Sequence, residues 1–220
     1  MDRVHDPAVY PFDRVGFVAV AIGAVSPGQR HTGIVYRDSE SETLHFLHLA
    51  WHYDLCNEDP EPDFLWVDPA IHWRRARQVA AVCRNVWRAN GKLIPYAFTS
   101  PAECFDTASW DFLFGPTRLG LTCASFVLAV FHAARLALVD YSGWPTNRDG
   151  DSEWQQMIVS RLTGRASPEH IEAITRGIGS VRFRPEEVAG AATVAPIPAS
   201  FDQAVERGAE ILTILEPKAS

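Results

Sequence analysis

Residues 14–25 form an apolar, valine-rich run, RVGFVAVAIGAV, around which any fold of this chain must be built. Branched residues favour strands, and a continuous apolar run of this kind indicates a buried strand. SPGQR ends the run. HTGIVYRD and TLHFLHLAW then flank the acidic SESE, a pattern typical of an antiparallel hairpin with a solvated tip. An antiparallel sheet is therefore predicted in the N-terminal part of the chain.

Helical signals follow the hairpin. Asp68 and Pro69 make a good N-cap and N1 pair, and Gly91 a good C′ residue, so a helix is predicted between them. The apolar face of this helix would hold Ala76, Val79, Ala80, Cys83, Val86 and Trp87. Residues 93–119 show no regular pattern.

A second helix is predicted from Thr122, its N-cap, and more follow toward the C-terminus. The buried stripe of the second helix would contain Phe126, Val127, Val130, Phe131 and Ala134. Further helices are predicted at about 152–163, 168–177 and 201–209. Because the strands and the helices segregate along the chain, the predicted fold class is α+β. We expect a single domain over residues 1–220, with a helical elaboration from about residue 150.

Composition narrows the possible partners. A net charge of −7 argues against nucleic acid and anionic lipid as partners. The arginines of HWRRARQVAAVCRNVWR are interpreted as a solvated helix face. No stretch of 18 apolar residues is present, so no membrane span is expected. The N-terminus lacks the apolar segment of a signal peptide, so a cytoplasmic location is expected by default, with specialised export left open.

The four cysteines, at positions 56, 83, 104 and 123, show no repeated spacing, which favours reduced thiols over a disulfide framework. Cys123 stands out because it follows Gly-Leu-Thr directly and opens the second predicted helix. A helix N-terminus and a neighbouring imidazole both lower a thiol pKa, and the N–H groups there can receive an oxyanion. Without a base, Cys123 would be interpreted as a core residue.

Histidines of the hairpin can supply that base. His31 begins the first hairpin strand, and His45 and His48 lie on the second. Pairing the strands around the acidic tip predicts that His48 lies opposite His31. Residues 45 and 48 differ by an odd number, so their side chains point to opposite faces. His48 is therefore predicted to fix the tautomer of His31, the orienting role in a catalytic triad.

The combination of HTGIVY, FLHLA and a later TCASFVLAVF resembles the papain-like thiol hydrolases of the NlpC type. The order, with histidines first and cysteine last, is similar to the circularly permuted branch, which includes lecithin–retinol acyltransferase-like enzymes. The resemblance covers roughly residues 14–50 and 95–135. It implies a papain-like fold and an acyl-enzyme mechanism that cleaves an amide or ester, without a cofactor or metal.

In that resemblance Cys123 would be the nucleophile, His31 the general base and acid, and His48 the orienting residue. The tip between the histidines is longer than is usual in the family, which leaves His45 as an alternative third residue. Acyl transfer or lipase activity on the same scaffold is an alternative that an apolar entrance near FDTASWDFLFG would favour. A non-catalytic binding module is another. A peptide, a peptidoglycan fragment and an acyl lipid all remain possible substrates, and the oligomeric state is open.

A metal site needs separate consideration. In HFLHLAWHYDLC, His45, His48, His52 and Cys56 would share one face if the segment were helical, and could then bind zinc. The sequence favours extended structure for this segment, so a zinc-binding protein is the less favoured hypothesis. Tyr96, upstream of Cys123, is predicted to be a packed tyrosine, with an oxyanion or substrate contact as the alternative.

Overall fold

The computed structural model describes residues 2–114 and 120–216. These residues form an α+β fold with one six-stranded antiparallel sheet, which confirms the predicted class. The strands are β1 (Val4–His5), β2 (Val18–Ser26), β3 (Gln29–Arg37), β4 (Leu44–Trp51), β5 (Asp54–Glu58) and β6 (Leu65–Val67). The sheet order is β1-β6-β2-β3-β4-β5. The α-helices of this part of the chain are α1 (Trp73–Asn90), α2 (Cys123–Ala133), α3 (Asp151–Leu162), α4 (Pro168–Arg176), α5 (Pro185–Thr193) and α6 (Phe201–Leu215).

The predicted hairpin is present as β3 and β4, but its register differs from the prediction. Ile34 pairs with Leu47 and Tyr36 with His45, so continuing the ladder sets Gly33, rather than His31, opposite His48. A Cβ added at Gly33 would lie 2.5 Å from the Cβ of His48, which explains the glycine. The shift is two residues, an even number, so His31 and His48 still share a face.

Helix α1 begins later than predicted. Its N-cap is His72, whose Nδ1 accepts the N–H of Arg74, whereas Asp68 directly follows β6 and its N–H donates to Arg3. The pairing of β6 with β1, absent from the sequence prediction, therefore displaces the helix start. Gly91 ends the helix as predicted, with a positive φ of 46°. Most of the predicted apolar face is buried, namely Val79, Ala80, Cys83 and Val86.

Helix α2 begins where the sequence predicts. The Thr122 side chain accepts the N–H of Ser125 at 3.1 Å, and the Ser125 hydroxyl accepts the N–H of Thr122 at 2.8 Å. This capping box fixes Cys123 as the first helical residue. Every residue from Cys123 to Phe131 is buried, because the helix packs between the sheet and the other helices.

The C-terminal helices α3, α4 and α6 confirm three predictions, with α6 longer than expected. Helix α5 was not predicted. Its small residues, Val188, Ala189, Ala191 and Ala192, are buried in the same core cluster as the sheet and α2. Strand β5 includes the first residues of CNEDPEPDF, at positions 56–64, whose acidic residues and prolines are typical of a loop rather than a strand.

Two other predictions concern the rest of the chain. Residues 93–114 contain no helix or strand beyond isolated bridges, as predicted, and the part of the predicted loop at 115–119 lies outside the described residues. None of the helices in the described part of the chain has the length and apolar character needed to cross a bilayer.

Candidate active site

The Cys123 thiol lies at the first turn of α2, against strand β3. Burial raises the pKa of this thiol, and hydrogen bonds from the backbone of Thr32 and Ala124 and from the Tyr96 side chain act in the opposite direction. Thr32 directly follows His31. The helix start therefore seats the sulfur beside the strand that carries the predicted base.

A row of three side chains runs across β3, β4 and β5. His31 Nε2 and His48 Nδ1 lie 2.7 Å apart, and His48 Nε2 lies 2.8 Å from Glu58 Oε1. His48 is buried, and its ring stacks on Phe46 with centroids 4.3 Å apart and planes at 15°. The Glu58 side chain is 50% exposed, so the row leads from the buried rings to a solvated carboxylate.

The chemistry of the row sets the protonation of each ring nitrogen. An ionised carboxylate only accepts hydrogen bonds, so Nε2–H of a neutral His48 donates to Glu58 and its Nδ1 is an acceptor. Nε2–H of His31 then donates to His48, which leaves Nδ1 of His31 without a proton. Burial and the nearby His48 lower the pKa of His31 to about 3, so the ring is neutral at pH 7. His31 is thus held in the tautomer that can accept a proton at Nδ1.

His31 and Cys123 line one cavity of about 240 Å³. Tyr96 lines it as well, and the remaining wall combines four charged residues with apolar and aromatic ones. The charged residues are Arg30, Arg161, Arg182 and Glu186, and the aromatic ones are Trp51, Trp154 and Phe183. A thiol and a neutral imidazole therefore both belong to the wall of one cavity that has room for a small group.

Tyr96 is buried, as expected for a packed tyrosine, and it also contacts the Cys123 thiol. Two histidines hold its backbone. The N–H of Tyr96 donates to His52 Nδ1 at 3.2 Å, and His170 Nε2 donates to the Tyr96 carbonyl at 3.0 Å. The two histidines thus hold the backbone of Tyr96 and with it the position of its phenol ring. No sequence pattern indicates this pair, because His170 lies 74 residues from Tyr96.

Arg182 is another residue of the cavity that the sequence patterns did not indicate. Its guanidinium lies 4.0 Å from the Trp154 ring centroid, and its Nη1 donates to Asp151 at 3.1 Å. Its buried Nε makes no hydrogen bond within the described part of the chain. Arg182 comes from the segment between α4 and α5, and only the packing of these helices brings it to the cavity.

The four-residue zinc set on one helix is not formed, because the segment folds as β4, a turn and β5. His45 lies on the face opposite His48, where its ring is 5.5 Å from that of Tyr36 and its Nε2 is 2.9 Å from the Thr43 hydroxyl. His52 lies in the turn and faces His170. The strands instead bring a different set together: donor atoms of His48, Cys56 and Glu58 all lie within 4.8 Å of one another.

The other thiols lie away from the cavity. All four cysteines are free, as predicted. Cys83 is fully buried on α1, and the Cys104 thiol is 3.2 Å from the Ser100 carbonyl oxygen. Burial raises the pKa of Cys104 to about 12, and burial together with Asp54 and Glu58 raises that of Cys56 to about 11. Cys123 is the cysteine that lines the cavity with a histidine.

Comparisons with known proteins give no match to a family model, to a curated protein or to a solved structure.

Proposed function

We propose that this protein is a thiol-dependent hydrolase that cleaves an amide or ester bond through an acyl-enzyme, on a permuted papain-like scaffold of the NlpC type. The observation that carries the proposal is the row His31–His48–Glu58, whose first member, His31, lines the same cavity as Cys123. A histidine with an oriented second nitrogen beside a thiol at a helix N-terminus is the arrangement that nucleophilic catalysis requires.

The proposed reaction begins with the thiol. His31 Nδ1 takes the proton of Cys123 as the sulfur bonds to the substrate carbonyl carbon. The Tyr96 hydroxyl and the N–H groups at the start of α2 are available to the oxyanion. His31 then gives the proton to the leaving amine or alcohol, and a thioester remains. Water, deprotonated by His31, attacks the thioester, and the carboxylic acid leaves as the thiol is restored.

The resting state is a neutral thiol and a neutral imidazole. Burial raises the pKa of Cys123, and burial with His48 lowers that of His31, so both shifts disfavour a preformed thiolate–imidazolium pair. Proton transfer is therefore coupled to attack, and the charge that forms on His31 is compensated through His48 by Glu58.

The walls of the cavity favour a polar substrate over an acyl lipid. Three arginines and one glutamate line it beside aromatic side chains, so a carboxylate on the substrate can pair with an arginine there, an interaction that an acyl chain does not use. The segment suggested as an apolar entrance packs elsewhere: the Asn90 side chain donates to the Trp110 carbonyl and accepts the N–H of Phe112. A peptide or peptidoglycan fragment that carries a carboxylate is therefore the substrate class that we propose, and cleavage of its amide the reaction.

The test is the selectivity of thiol labelling by iodoacetamide, followed by mapping of the modified residue. We expect Cys123 to react first, and the His31→Ala variant to react more slowly. Because the pKa of Cys123 is raised, the rate should increase as the pH rises from about 7 to 9. A Cys123→Ser variant controls for background labelling. Labelling of Cys56 or Cys104 well ahead of Cys123 would overturn the assignment and favour a non-catalytic binding module.

A further inference from the structure

Strands β4 and β5 bring three metal-binding side chains together outside the cavity. His48 and Cys56 are register partners, and Glu58 lies two residues beyond Cys56 on the same face. One donor atom from each lies within 4.8 Å of the other two, and His48 Nε2 and Glu58 Oε1 are 2.8 Å apart. The pairing of two strands thus assembles an imidazole, a thiol and a carboxylate.

This donor set suits zinc. Zinc binds nitrogen, sulfur and oxygen donors at about 2.0 to 2.3 Å, with a tetrahedral arrangement that separates donors by roughly 3.5 Å. Donors that already lie within 4.8 Å reach this spacing with small side-chain movements. One thiolate and one carboxylate balance the charge of a divalent ion. The half-exposed Glu58 leaves a path from solvent and a fourth position for water.

The surroundings of His48 support the same conclusion. Its second ring nitrogen, Nδ1, is already engaged by His31 at 2.7 Å, and Phe46 stacks on the ring. Metal-binding histidines commonly have the other nitrogen held in this way, which fixes the orientation of the ring. His48 is therefore oriented before an ion arrives.

We infer that His48, Cys56 and Glu58 form a binding site for a zinc-type divalent ion, and that the bound ion switches off the base His31. The first part stands on the geometry of the strands, and the second rests on the proposed function. On binding, the Cys56 thiol releases its proton to solvent and the sulfur bonds to the metal.

The switch follows from the ring tautomers. An ion on His48 Nε2 displaces the proton from that atom, so neutral His48 carries its proton on Nδ1 and donates it to His31 Nε2. Neutral His31 must then carry its own proton on Nδ1, the atom that accepts the proton of Cys123. Each ring keeps one proton, but the hydrogen bond between the two rings now runs from His48 to His31. Ion binding and acylation of Cys123 therefore exclude each other.

Zinc binding is tested by calorimetric titration of Zn²⁺ into the Cys123→Ala variant, which removes the nucleophile as a ligand. We expect about one ion per chain. The further change Cys56→Ser should weaken binding at least roughly tenfold, and Glu58→Gln provides a second ligand variant. Asp54→Asn is the matched control, because it alters the charge near Cys56 without removing a donor. Co²⁺ should show the absorption of a cobalt–thiolate bond only when Cys56 is present.

The switch is tested by labelling Cys123 with and without Zn²⁺. In the wild-type protein, Zn²⁺ should lower the labelling rate of Cys123 at least roughly tenfold. In the Cys56→Ser variant, the rates with and without Zn²⁺ should be about equal. Binding that is lost in Cys123→Ala, or unchanged in Cys56→Ser and Glu58→Gln, would overturn the site. If zinc binds through Cys56 but His31→Ala does not alter the labelling of Cys123, the metal site stands and the proposed catalysis fails.

Discussion

Two histidine pairs lie next to the cavity, with almost the same spacing and different partners. The ring centroids are 4.8 Å apart for His31 and His48 and 4.7 Å apart for His52 and His170. In the first pair the rings bond to each other and then to Glu58. In the second pair each ring bonds to the backbone of Tyr96. The first pair can pass a proton along its row, whereas the second holds a main-chain segment in place.

The partner of a ring nitrogen decides what a histidine can do. A carboxylate that only accepts hydrogen bonds imposes one tautomer on the row, whereas in the second pair a backbone N–H and a backbone carbonyl each engage one ring nitrogen. His170 Nδ1 even lacks a hydrogen-bond partner among the described residues. The first pair should therefore control reactivity, and the second should control stability.

The largest effect on reactivity is expected from His31→Ala. A general base typically contributes a factor of 10² to 10⁴, so acylation of Cys123 by a nitrophenyl ester should fall at least roughly a hundredfold. The release of nitrophenol in a single turnover measures this step. A loss of less than about threefold would mean that His31 is not the base.

His48→Ala should have the next largest effect. Acylation of Cys123 should fall at least roughly tenfold with a near-normal melting curve, because the orientation of His31 is lost while its ring remains. The matched control is His45→Ala, on the opposite face of the same strand, which should change acylation little. The opposite ranking of the two variants would contradict the register seen in the sheet.

Glu58→Gln should reduce acylation roughly threefold to tenfold. The amide of glutamine can donate as well as accept, so it no longer imposes one tautomer on His48 and His31. Glu61→Gln, an exposed acid in the loop that follows β5, controls for the change in net charge. Equal acylation by the two variants would show that the row ends at His48.

The smallest effect on reactivity is expected from His170→Ala, which should act on stability. Its removal leaves the buried carbonyl of Tyr96 without its donor, at a cost of about 1–3 kcal/mol in the free energy of unfolding. Urea unfolding followed by tryptophan fluorescence measures this loss, and acylation is compared at a temperature where the variant is folded. A stable variant with strongly reduced acylation would give His170 a role in the reaction.

Short-range sequence rules predict the local parts of this protein. Thr122 and Ser125 fix the start of α2 and the position of Cys123, because a capping box depends on residues three apart. Positions 45 and 48 differ by an odd number, which places the two histidine side chains on opposite faces of the sheet, because side chains alternate along any strand. Both rules act over a few residues.

Long-range contacts of the fold assemble the rest of the site. Glu58 reaches His48 only because β5 pairs with β4, in a segment whose acidic and proline residues indicated a loop. Arg182 and His170 lie after α2 in the chain and reach the site only through packing. Strand β6 pairs with β1 and β2, which lie too far away in the sequence for a local pattern to indicate the pairing. Such contacts depend on how apolar faces pack and on which long-range strands pair. Those free energies belong to the whole fold, and therefore no short stretch of sequence encodes them.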